Sequence, residues 1–386
     1  MKKVLIINTS YRNYGGEDSN IVDEVNLLKN IYDVKYLEYK NSEKIKFREF
    51  LSFFTNKNKT SNKTLIDCLK NFQPDIAYIH NTWFRANLDI FRILKNYEIP
   101  VFHKIHNFRY FCTKSPFAKD HFITGSLCHM CGMNKKTKRL FNKYYEESFS
   151  KSLFASIYGK RYFKILLDYP MKILIMNDFH KKFLRNQGID EKKLEIYYNP
   201  IEITTKGYKN YDSYSKNVVY AGRLTENKGL VNLIETWIAA ETKDLNLVII
   251  GSGELERYLK KTYINENIKF YGEMSNEETK KFIKESRAVI TCTKLLEGQP
   301  KVLSEASSYG IPSIFPSFGG MDEYFPYKYE LSFEQFNYEN LKEKIEKLND
   351  RVLLEKLSLK VFNTVFDLLN SEKLLYDFNN IISEHE

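Results

Sequence analysis

Two carboxylates mark the ends of residues 297–305, which read EGQPKVLSE. If a helix begins at Lys301, Glu305 lies in its first turns and Glu297 lies on the loop before it. One carboxylate could then accept hydrogen bonds from hydroxyl groups of one moiety, while the other holds a second moiety. The backbone N–H groups between them would face a negatively charged group. The segment therefore predicts a site for a ligand that carries both hydroxyl groups and negative charge.

Two cations follow a strand predicted over residues 218–221. Arg223 and Lys228 are five residues apart, in a loop that leads into a predicted helix. The helix terminus supplies N–H groups and partial positive charge, and the two cations add charge-assisted hydrogen bonds, so the pattern suits a diphosphate. The alternative is that both are ordinary solvated loop cations. A tight turn with the sequence GSG, residues 251–253, ends a later predicted strand.

Short apolar strands alternate with helical stretches along the whole chain. Several strands carry consecutive apolar residues, as strands buried on both faces do, and this alternation indicates parallel, doubly wound α/β sheets. The strands are predicted at 4–9, 34–39, 76–80, 101–105, 173–176, 194–198, 218–221, 247–251, 268–271, 288–293, 313–316 and 330–333. Helices are predicted at 21–30, 229–240, 254–263, 276–285, 353–369 and 374–382.

The strand and helix pattern occurs twice, on either side of a polar stretch at 204–217 that we interpret as a hinge. We therefore predict an N-terminal domain over 1–205, a second domain over 206–365 and a terminal helix over 366–386. Two doubly wound domains that face each other would form a cleft at the carboxyl ends of their strands, where such folds bind ligands.

Composition excludes several classes of protein and divides the chain by charge. With 386 residues and 43% hydrophobic residues, the chain is neither disordered nor a low-complexity scaffold. No apolar run approaches the roughly 18 residues of a membrane-spanning helix. The start turns polar at Asn8, so no signal peptide is expected. Five cysteines make no disulfide framework, and we expect a cytoplasmic protein.

The net charge is +10, made up of +14 in residues 1–205 and −4 in the remainder, so the first half is expected to meet an anionic partner.

Taken in order, these motifs resemble the donor half of retaining nucleotide-sugar glycosyltransferases of the group 1 family (family 4), of the bacterial surface-polysaccharide type. The matching segments are YAGRLTENKG at 220–229, IIGSG at 249–253, FYGE at 270–273, the glutamates 297 and 305, ASSYGIP at 306–312 and GG at 319–320. In the first half, YGGED at 14–18, HN at 80–81 and KIHNFR at 104–109 resemble the glycine-rich loop and the acceptor-side histidine segment of the family. The resemblance implies a GT-B fold, in which the last helix usually crosses back to the N-terminal domain.

The resemblance also assigns roles on the donor side. Arg223 and Lys228 would neutralise the diphosphate of a nucleoside-diphosphate sugar, and Glu305 would bind the ribose hydroxyl groups. Glu297, together with N–H groups around Gln299, Lys301 and Val302, would hold the sugar hydroxyl groups and the distal phosphate. Phenylalanine is common in the family where Gln299 stands, and Lys301 adds a cation, so these two positions bear on which sugar is used.

On the acceptor side, the resemblance implies that Gly15 and Gly16 close over the phosphates and that His106 lies beside the transferred sugar. The implied reaction retains anomeric configuration through electrostatic preorganisation, without an acid/base pair of carboxylates and without a bound metal or other cofactor. The implied acceptor is a lipid-linked cell-envelope glycan, as in capsule or lipopolysaccharide assembly. Alternatives are a GT-B sugar-nucleotide epimerase or a non-catalytic protein that binds nucleotide-sugar or nucleic acid. No nucleic-acid-binding motif is visible, so nucleic acid is not an expected partner.

Two features of the first half keep alternative interpretations open. Cys112, Cys128 and Cys131 match a cysteine pattern in a bacterial subgroup of the family, and they could bind zinc or remain reduced structural cysteines. Residues 135–172 are basic and aromatic. They could rest on the anionic inner face of the cytoplasmic membrane or receive a polyprenyl-diphosphate acceptor, or they could form a packed helix with solvated lysines.

Overall fold

A computed structural model describes residues 1–10, 16–41, 57–83, 85–106, 108, 149–203 and 211–385, with 149–152, 155 and 156 described by their backbone alone. The strands are β1 Lys3–Ser10, β2 Asp33–Lys40, β3 Ile76–Ile79, β4 Val101–Lys104, β5 Lys172–Ile175, β6 Leu194–Ile196, β7 Asn217–Ala221, β8 Asn246–Ile250, β9 Ile268–Gly272, β10 Ala288–Ile290, β11 Ser313–Ser317 and β12 Ser332–Glu334. All twelve predicted strands are confirmed.

Helices cover most of the chain between these strands. In the described residues they are α1 Gly16–Leu28, α2 Lys59–Phe72, α3 Asp89–Asn96, α4 Phe149–Asp168, α5 Asp178–Asn186, α6 Leu230–Ala239, α7 Glu256–Thr262, α8 Asn276–Lys284, α9 Lys301–Ser308, α10 Tyr338–Glu346, α11 Arg351–Leu369 and α12 Ser371–Ser383. Local side-chain hydrogen bonds fix several of their starts. Ser275 and Glu278, for example, form a reciprocal capping box that satisfies backbone N–H groups at the start of α8.

The strands form two parallel six-stranded sheets. The first has the order β2-β1-β3-β4-β5-β6, and the second has the order β12-β11-β10-β7-β8-β9. The α/β class and the doubly wound parallel sheets are thus confirmed. In each sheet the direction of winding reverses once, between β1 and β3 in the first and between β7 and β10 in the second. Ligands of such folds bind at these switch points, outside the carboxyl ends of the strands.

The chain divides into two compact units, and its last helix belongs with the first of them. Unit 1 contains residues 1–200 and 371–386, and unit 2 contains residues 201–370. In unit 1, Leu374 and Phe378 of α12 are fully buried in the core layer formed by one face of the first sheet and α1. The core of unit 1 therefore depends on a helix that lies about 170 residues beyond its other parts in the sequence.

The central strands of unit 1 are buried on both faces. Every residue of β3 and β4 is buried, whereas β2, at the edge, has one buried residue among its eight. The consecutive apolar residues of the central strands follow from this position, because helices cover both faces of a parallel sheet. The other strand ends lie within two residues of their predictions, but β10 ends at Ile290 instead of Thr293, because the chain turns there towards the start of α6.

Candidate functional site

The switch point of the second sheet brings together the segments singled out in unit 2. Arg223 and Lys228 follow β7, and Glu297 follows β10. These two strands are hydrogen-bonded neighbours, in the register Ala288 with Val218 and Val289 with Val219. Because both strands are parallel, the loops that follow them emerge at the same edge of the sheet. The segments chosen from the sequence therefore lie on adjacent loops.

The loop that carries Arg223 is held by direct backbone contact with the turn at residues 251–253. A Cβ atom on Gly251 would lie 2.0 Å from the carbonyl oxygen of Gly222, and a Cβ atom on Gly253 would lie 2.5 Å from that of Leu224. The Leu224 N–H donates to the carbonyl of Ser252 over 2.9 Å. Both glycines are therefore required by a close approach that any side chain would block, which gives the GSG turn a structural purpose.

A second close approach joins the loops after β7 and β10. Residues Glu226–Lys228 form a 3₁₀ turn, and Gly229 ends it in the left-handed conformation with φ of +71°. A Cβ atom there would lie 1.9 Å from the carbonyl oxygen of Cys292. The Lys294 N–H donates to the carbonyl of Asn227 over 2.9 Å. The turn that carries Lys228 is thereby fixed against the loop that carries Glu297.

Lys228 and Glu297 form an ion pair across these two loops. The Lys228 Nζ lies 2.5 Å from the Glu297 Oε1, and both side chains are roughly one-fifth to one-quarter exposed. The hydroxyl of Thr293 donates to the same carboxylate oxygen over 3.2 Å. Thr293 was not identified from the sequence, where nothing distinguishes a threonine near a strand end. The pair is ordered yet open to solvent, so its hydrogen-bonding groups can reach a ligand.

The second glutamate lies on a helix that begins at Lys301, the start assumed in the sequence analysis. Helix α9 starts at Lys301 after Pro300, and Glu305 is in its second turn, mostly buried with 8% of its surface exposed. The Lys301 Nζ is 4.0 Å from the Glu305 Oε1. Gln299 is buried in the loop before the helix, and Val302 is half-buried. Lys301 thus lies within reach of Glu305.

A further lysine, Lys280 of α8, belongs to the surroundings of Glu305. Its Nζ lies 3.3 Å from Glu277 and 3.7 Å from Glu202. Burial alone would lower the pKa of the Lys280 ammonium, but the carboxylates of Glu305, Glu277 and Glu202 outweigh it and raise that pKa. The Lys280 side chain therefore keeps its positive charge near Glu305. No sequence motif marks it, because it reaches this position from a different helix.

In unit 1, His106 contacts a second histidine at the ends of two neighbouring strands. His80 follows β3 and His106 follows β4, and the Nδ1 of His80 lies 2.9 Å from the Nε2 of His106. Among the described residues, the Nε2 of His80 and the Nδ1 of His106 have no hydrogen-bond partner, although both atoms are buried. One ring must donate across the contact, so the two outward nitrogens have opposite character, one a donor and one an acceptor.

Both rings of this histidine pair are uncharged at neutral pH. Burial lowers the pKa of His80 well below its usual range, and the neighbouring His106 and Lys104 lower it further. Burial likewise lowers the pKa of His106, to which Lys104, His103 and His180 add. A neutral pair can hydrogen-bond a hydroxyl group without placing a net charge beside it. The sequence located this segment but did not predict the contact between the two rings.

Several residues chosen from the sequence lie at the edge of the residues that the structure describes, or outside them. Gly16 is the first residue of α1, and a Cβ atom added there would meet nothing within 4 Å. Gly15 lies outside the described residues, as do Cys112, Cys128 and Cys131. The closing of Gly15 over a phosphate and the zinc site therefore remain predictions.

The described part of the basic, aromatic stretch is a packed helix. Tyr158, Tyr162 and Phe163 of α4 are buried in the core of unit 1, and the Tyr158 hydroxyl bonds that of Thr82 over 2.5 Å. Lysines and two leucines occupy the exposed side: Leu153, Lys160, Lys164 and Leu167. The described aromatic residues thus fit the packed-helix interpretation. No helix in the described part of the chain combines the length and apolar character needed to span a membrane.

Comparison with known proteins agrees with this arrangement. Residues 206–358 match the model of the glycosyl transferases group 1 family. An uncharacterized glycosyltransferase of Methanocaldococcus jannaschii is 29% identical over 185 residues, which are 44% of this chain and 45% of that protein. The N-acetylgalactosamine-N,N'-diacetylbacillosaminyl-diphospho-undecaprenol 4-alpha-N-acetylgalactosaminyltransferase of Campylobacter jejuni is 31% identical over 149 residues, 36% of this chain and 40% of that protein. The chain thus spans less than half the length of both relatives.

The similarity of fold extends over the whole chain. The crystal structure of Anabaena HepE in complex with UDP and glucose covers 100% of both chains with a TM-score of 0.67, at 11% sequence identity. At that identity the likeness concerns the fold. The motifs on the loops of unit 2 lie inside the region that matches the family model. Residues 206–358 are therefore similar to the group 1 glycosyl transferases, in a chain with the fold of the GT-B glycosyltransferases.

Proposed function

We propose that the protein is a retaining glycosyltransferase that moves a sugar from a nucleoside-diphosphate sugar to a lipid-linked cell-envelope glycan. The observation that carries this proposal is the joining of Lys228 and Glu297 across the switch point of the second sheet, within a group 1 domain. Arg223 lies on the same loop as Lys228, and Glu305 lies one helix turn beyond Lys301. Two cations and two carboxylates at one sheet edge suit a diphosphate flanked by two sets of hydroxyl groups.

In this proposal, Arg223 and Lys228 bind the diphosphate, and Glu305 accepts hydrogen bonds from the ribose. Glu297 and the N–H groups of residues 299–302 bind the transferred sugar and the distal phosphate. Lys228 has a carboxylate partner before the donor arrives, so its charge is held in place with little reorganisation. A diphosphate would share this ammonium with Glu297 and free the second carboxylate oxygen to accept a sugar hydroxyl.

The chemistry we propose needs no carboxylate nucleophile. Arg223 and Lys228 stabilise the charge that develops on the leaving phosphate, and that phosphate takes the proton of the incoming hydroxyl on the same face of the sugar. The C–O bond to the phosphate breaks as the bond to the acceptor oxygen forms. His106 would lie beside the sugar as an uncharged ring, so it would not compete with the oxocarbenium-like transition state for nearby negative charge. No metal or other cofactor is part of this proposal.

The lipid-linked acceptor rests on two kinds of support. One relative is named as a transferase that acts on a diphospho-undecaprenol-linked sugar. Residues 1–205 carry a net charge of +14, and Lys160 and Lys164 lie on the exposed side of α4 with Leu153 and Leu167. Cations flanked by exposed apolar residues suit the surface of an anionic bilayer. Co-sedimentation with phosphatidylglycerol vesicles at low salt should carry the protein down, and a Lys160→Glu/Lys164→Glu variant should bind less. Equal recovery with phosphatidylcholine vesicles would count against the membrane part of the proposal.

The donor site is tested by two variants and a matched pair of controls. Lys228→Ala and Glu297→Ala should each abolish transfer, read as release of UDP or GDP from the matching nucleotide-sugar, while the melting temperature changes little. Lys260 and Glu256 form an ion pair of similar length, 2.7 Å, on the surface of the same unit. Lys260→Ala and Glu256→Ala should therefore leave turnover unchanged. Near-normal turnover in both site variants would overturn the assignment.

A further inference from the structure

The histidine pair of unit 1 lies at the switch point of the first sheet. His80 directly follows β3 and His106 comes two residues after β4, and these two strands are hydrogen-bonded neighbours. The direction of winding reverses between β1 and β3, and the N–H of His80 donates to the carbonyl of Ile7 in β1 over 2.9 Å. The pair therefore occupies the edge of the sheet at which doubly wound folds bind ligands.

The His80 ring is held between two other rings. The centroid of Tyr78 lies 4.5 Å from that of His80, and the centroid of His106 lies 5.2 Å from it, with 22° between the two imidazole planes. Tyr78 is itself fixed, because its hydroxyl donates to Glu24, which forms a buried ion pair with Lys104. His80 is 3% exposed, whereas His106 is half-buried. His80 is thus the fixed member of the pair, and His106 is the more exposed one.

The 2.9 Å contact between the rings can be made in two ways. Burial lowers the pKa of both histidines, so each neutral ring carries one proton. If His80 donates, both rings carry that proton on Nδ1, and if His106 donates, both carry it on Nε2. Either way one outward nitrogen is a donor and the other an acceptor. A neutral histidine in water carries its proton mainly on Nε2, so donation by His106 leaves both rings in the favoured form.

We infer that His80 is a positioning residue for His106: its Nδ1 accepts from the Nε2–H of His106 and so keeps the His106 Nδ1 as an acceptor for a hydroxyl group of the ligand. The inference rests on the proposed function, in which His106 lies beside the sugar. It also limits the ligand, because the group that meets this nitrogen must carry a hydrogen. A hydroxyl group fits, whereas a carboxylate, which only accepts, does not.

The open valence of His106 supports a role in ligand binding. Its Nδ1 is buried without a hydrogen-bond partner among the described residues. His103, three residues earlier, differs in this respect, since its two nitrogens bond the Ile79 carbonyl and the Tyr162 hydroxyl. A buried polar atom left unpaired costs about 1–3 kcal/mol. A ligand hydroxyl that donates to the His106 Nδ1 would remove this cost on binding.

The position of the proton can be read directly from nitrogen resonances. We would label histidine with ¹⁵N and record long-range ¹H–¹⁵N correlation spectra of the unliganded protein at neutral pH, with His106→Gln to assign the ring. A protonated imidazole nitrogen resonates far upfield of an unprotonated one. His106 should show a protonated Nε2 and an unprotonated Nδ1. A proton on the Nδ1 of His106 would overturn the inference.

Variants at position 80 test the positioning role. His80→Leu removes the acceptor, so the proton of His106 should distribute over both nitrogens and their two resonances should move towards each other. His80→Asn keeps a carbonyl oxygen near the place of Nδ1 and should retain the wild-type resonances. Leu94→Ala opens a cavity in the other core layer of unit 1, controls for loss of stability and should also retain them. Unchanged resonances in His80→Leu would contradict the role of His80.

Turnover tests the proposed function separately. His80→Leu should lower kcat/KM by about tenfold, which corresponds to one hydrogen bond of about 1.4 kcal/mol. His80→Asn and Leu94→Ala should retain most of the wild-type value. If the resonances behave as predicted but kcat/KM of His80→Leu stays at the wild-type value, the placement of His106 beside the sugar is wrong, although His80 still orients it. The two failures are therefore distinguishable.

Discussion

Gly229→Ala tests whether the close approach of two loops builds the donor site. Gly229 has φ of +71°, and a Cβ atom there would lie 1.9 Å from the Cys292 carbonyl oxygen. Gly272, in the same unit, has a nearly equal φ of +76°, and a Cβ atom there would meet nothing within 4 Å. The two alanine variants therefore share the cost of a left-handed alanine, and only one of them adds a steric overlap.

The expected magnitudes follow from this difference. A left-handed alanine costs about 1–2 kcal/mol, which applies to both variants. At Gly229 the Cys292 carbonyl must also retreat from 1.9 Å to at least 3.4 Å, where ordinary van der Waals contact begins. Overpacking of this kind costs about 1–3 kcal/mol more. Gly229→Ala should therefore lower the free energy of unfolding by about 2–5 kcal/mol and Gly272→Ala by about 1–2 kcal/mol.

Urea unfolding and nucleotide release from the donor would measure the two consequences together. The retreat of Cys292 moves the loop of Glu297 away from Lys228, so Gly229→Ala should lose kcat/KM by at least about tenfold, the equivalent of about 1.4 kcal/mol of transition-state binding. Gly272→Ala should retain wild-type turnover under conditions in which it is folded. Equal losses of stability and activity in the two variants would refute the reasoning.

Two further predictions concern unit 1. Four of its histidines, His80, His103, His106 and His180, have lowered pKa values, about 4 for His103 and about 3 for His180, with burial as the leading cause in each. The unfolded chain therefore binds more protons than the folded chain below about pH 6.5. The free energy of unfolding, measured in urea, should fall from pH 7 to pH 5 by about 2 kcal/mol for each such histidine. A free energy of unfolding that does not change with pH would contradict the burial of these histidines as neutral rings. Phe378→Ala should lower the free energy of unfolding by about 3–5 kcal/mol, because Phe378 is fully buried. Tyr376 is 67% exposed on the same helix, so Tyr376→Ala should lower it by less than about 0.5 kcal/mol. Similar losses in both variants would contradict the packing of α12 in the core of unit 1.

Much of the fold follows from local sequence patterns. Short apolar segments predicted every strand, and several of them have consecutive apolar residues because strands covered on both faces need no polar alternation. The helix start at Lys301, which we assumed in order to place Glu305, is where α9 begins. The end of β10 was wrong by three residues, because the contact between Gly229 and Cys292 depends on a segment about 60 residues away. Such a tertiary contact leaves no mark on local periodicity.

The site was only partly predictable for the same reason. Arg223, Lys228, Glu297 and Glu305 were found by residue type and spacing, but the ion pairs of Lys228 with Glu297 and of Lys301 with Glu305 were not. Lys104 and Glu24 are 80 residues apart, and a single lysine at a strand end or a glutamate on a helix is usually solvated. The aromatic residues of α4 were compatible with a membrane surface or a core until the neighbours of that helix were known. Composition therefore indicates which residues are present, whereas topology decides which of them meet.

The central claim is that unit 2 binds a nucleoside-diphosphate sugar through Arg223 and Lys228. Its most direct test is a thermal-shift panel of UDP-, GDP- and CMP-sugars on the wild type, Arg223→Ala and Lys228→Ala. At about 100 times the dissociation constant, a bound donor adds about 2.7 kcal/mol, which raises the melting temperature of a domain of this size by about 5–10 °C. We predict such a rise for at least one UDP- or GDP-sugar and none for CMP-sugars, which lack a diphosphate, with the rise lost in both variants. No rise with any diphosphate donor, or an equal rise in the variants, would contradict the account.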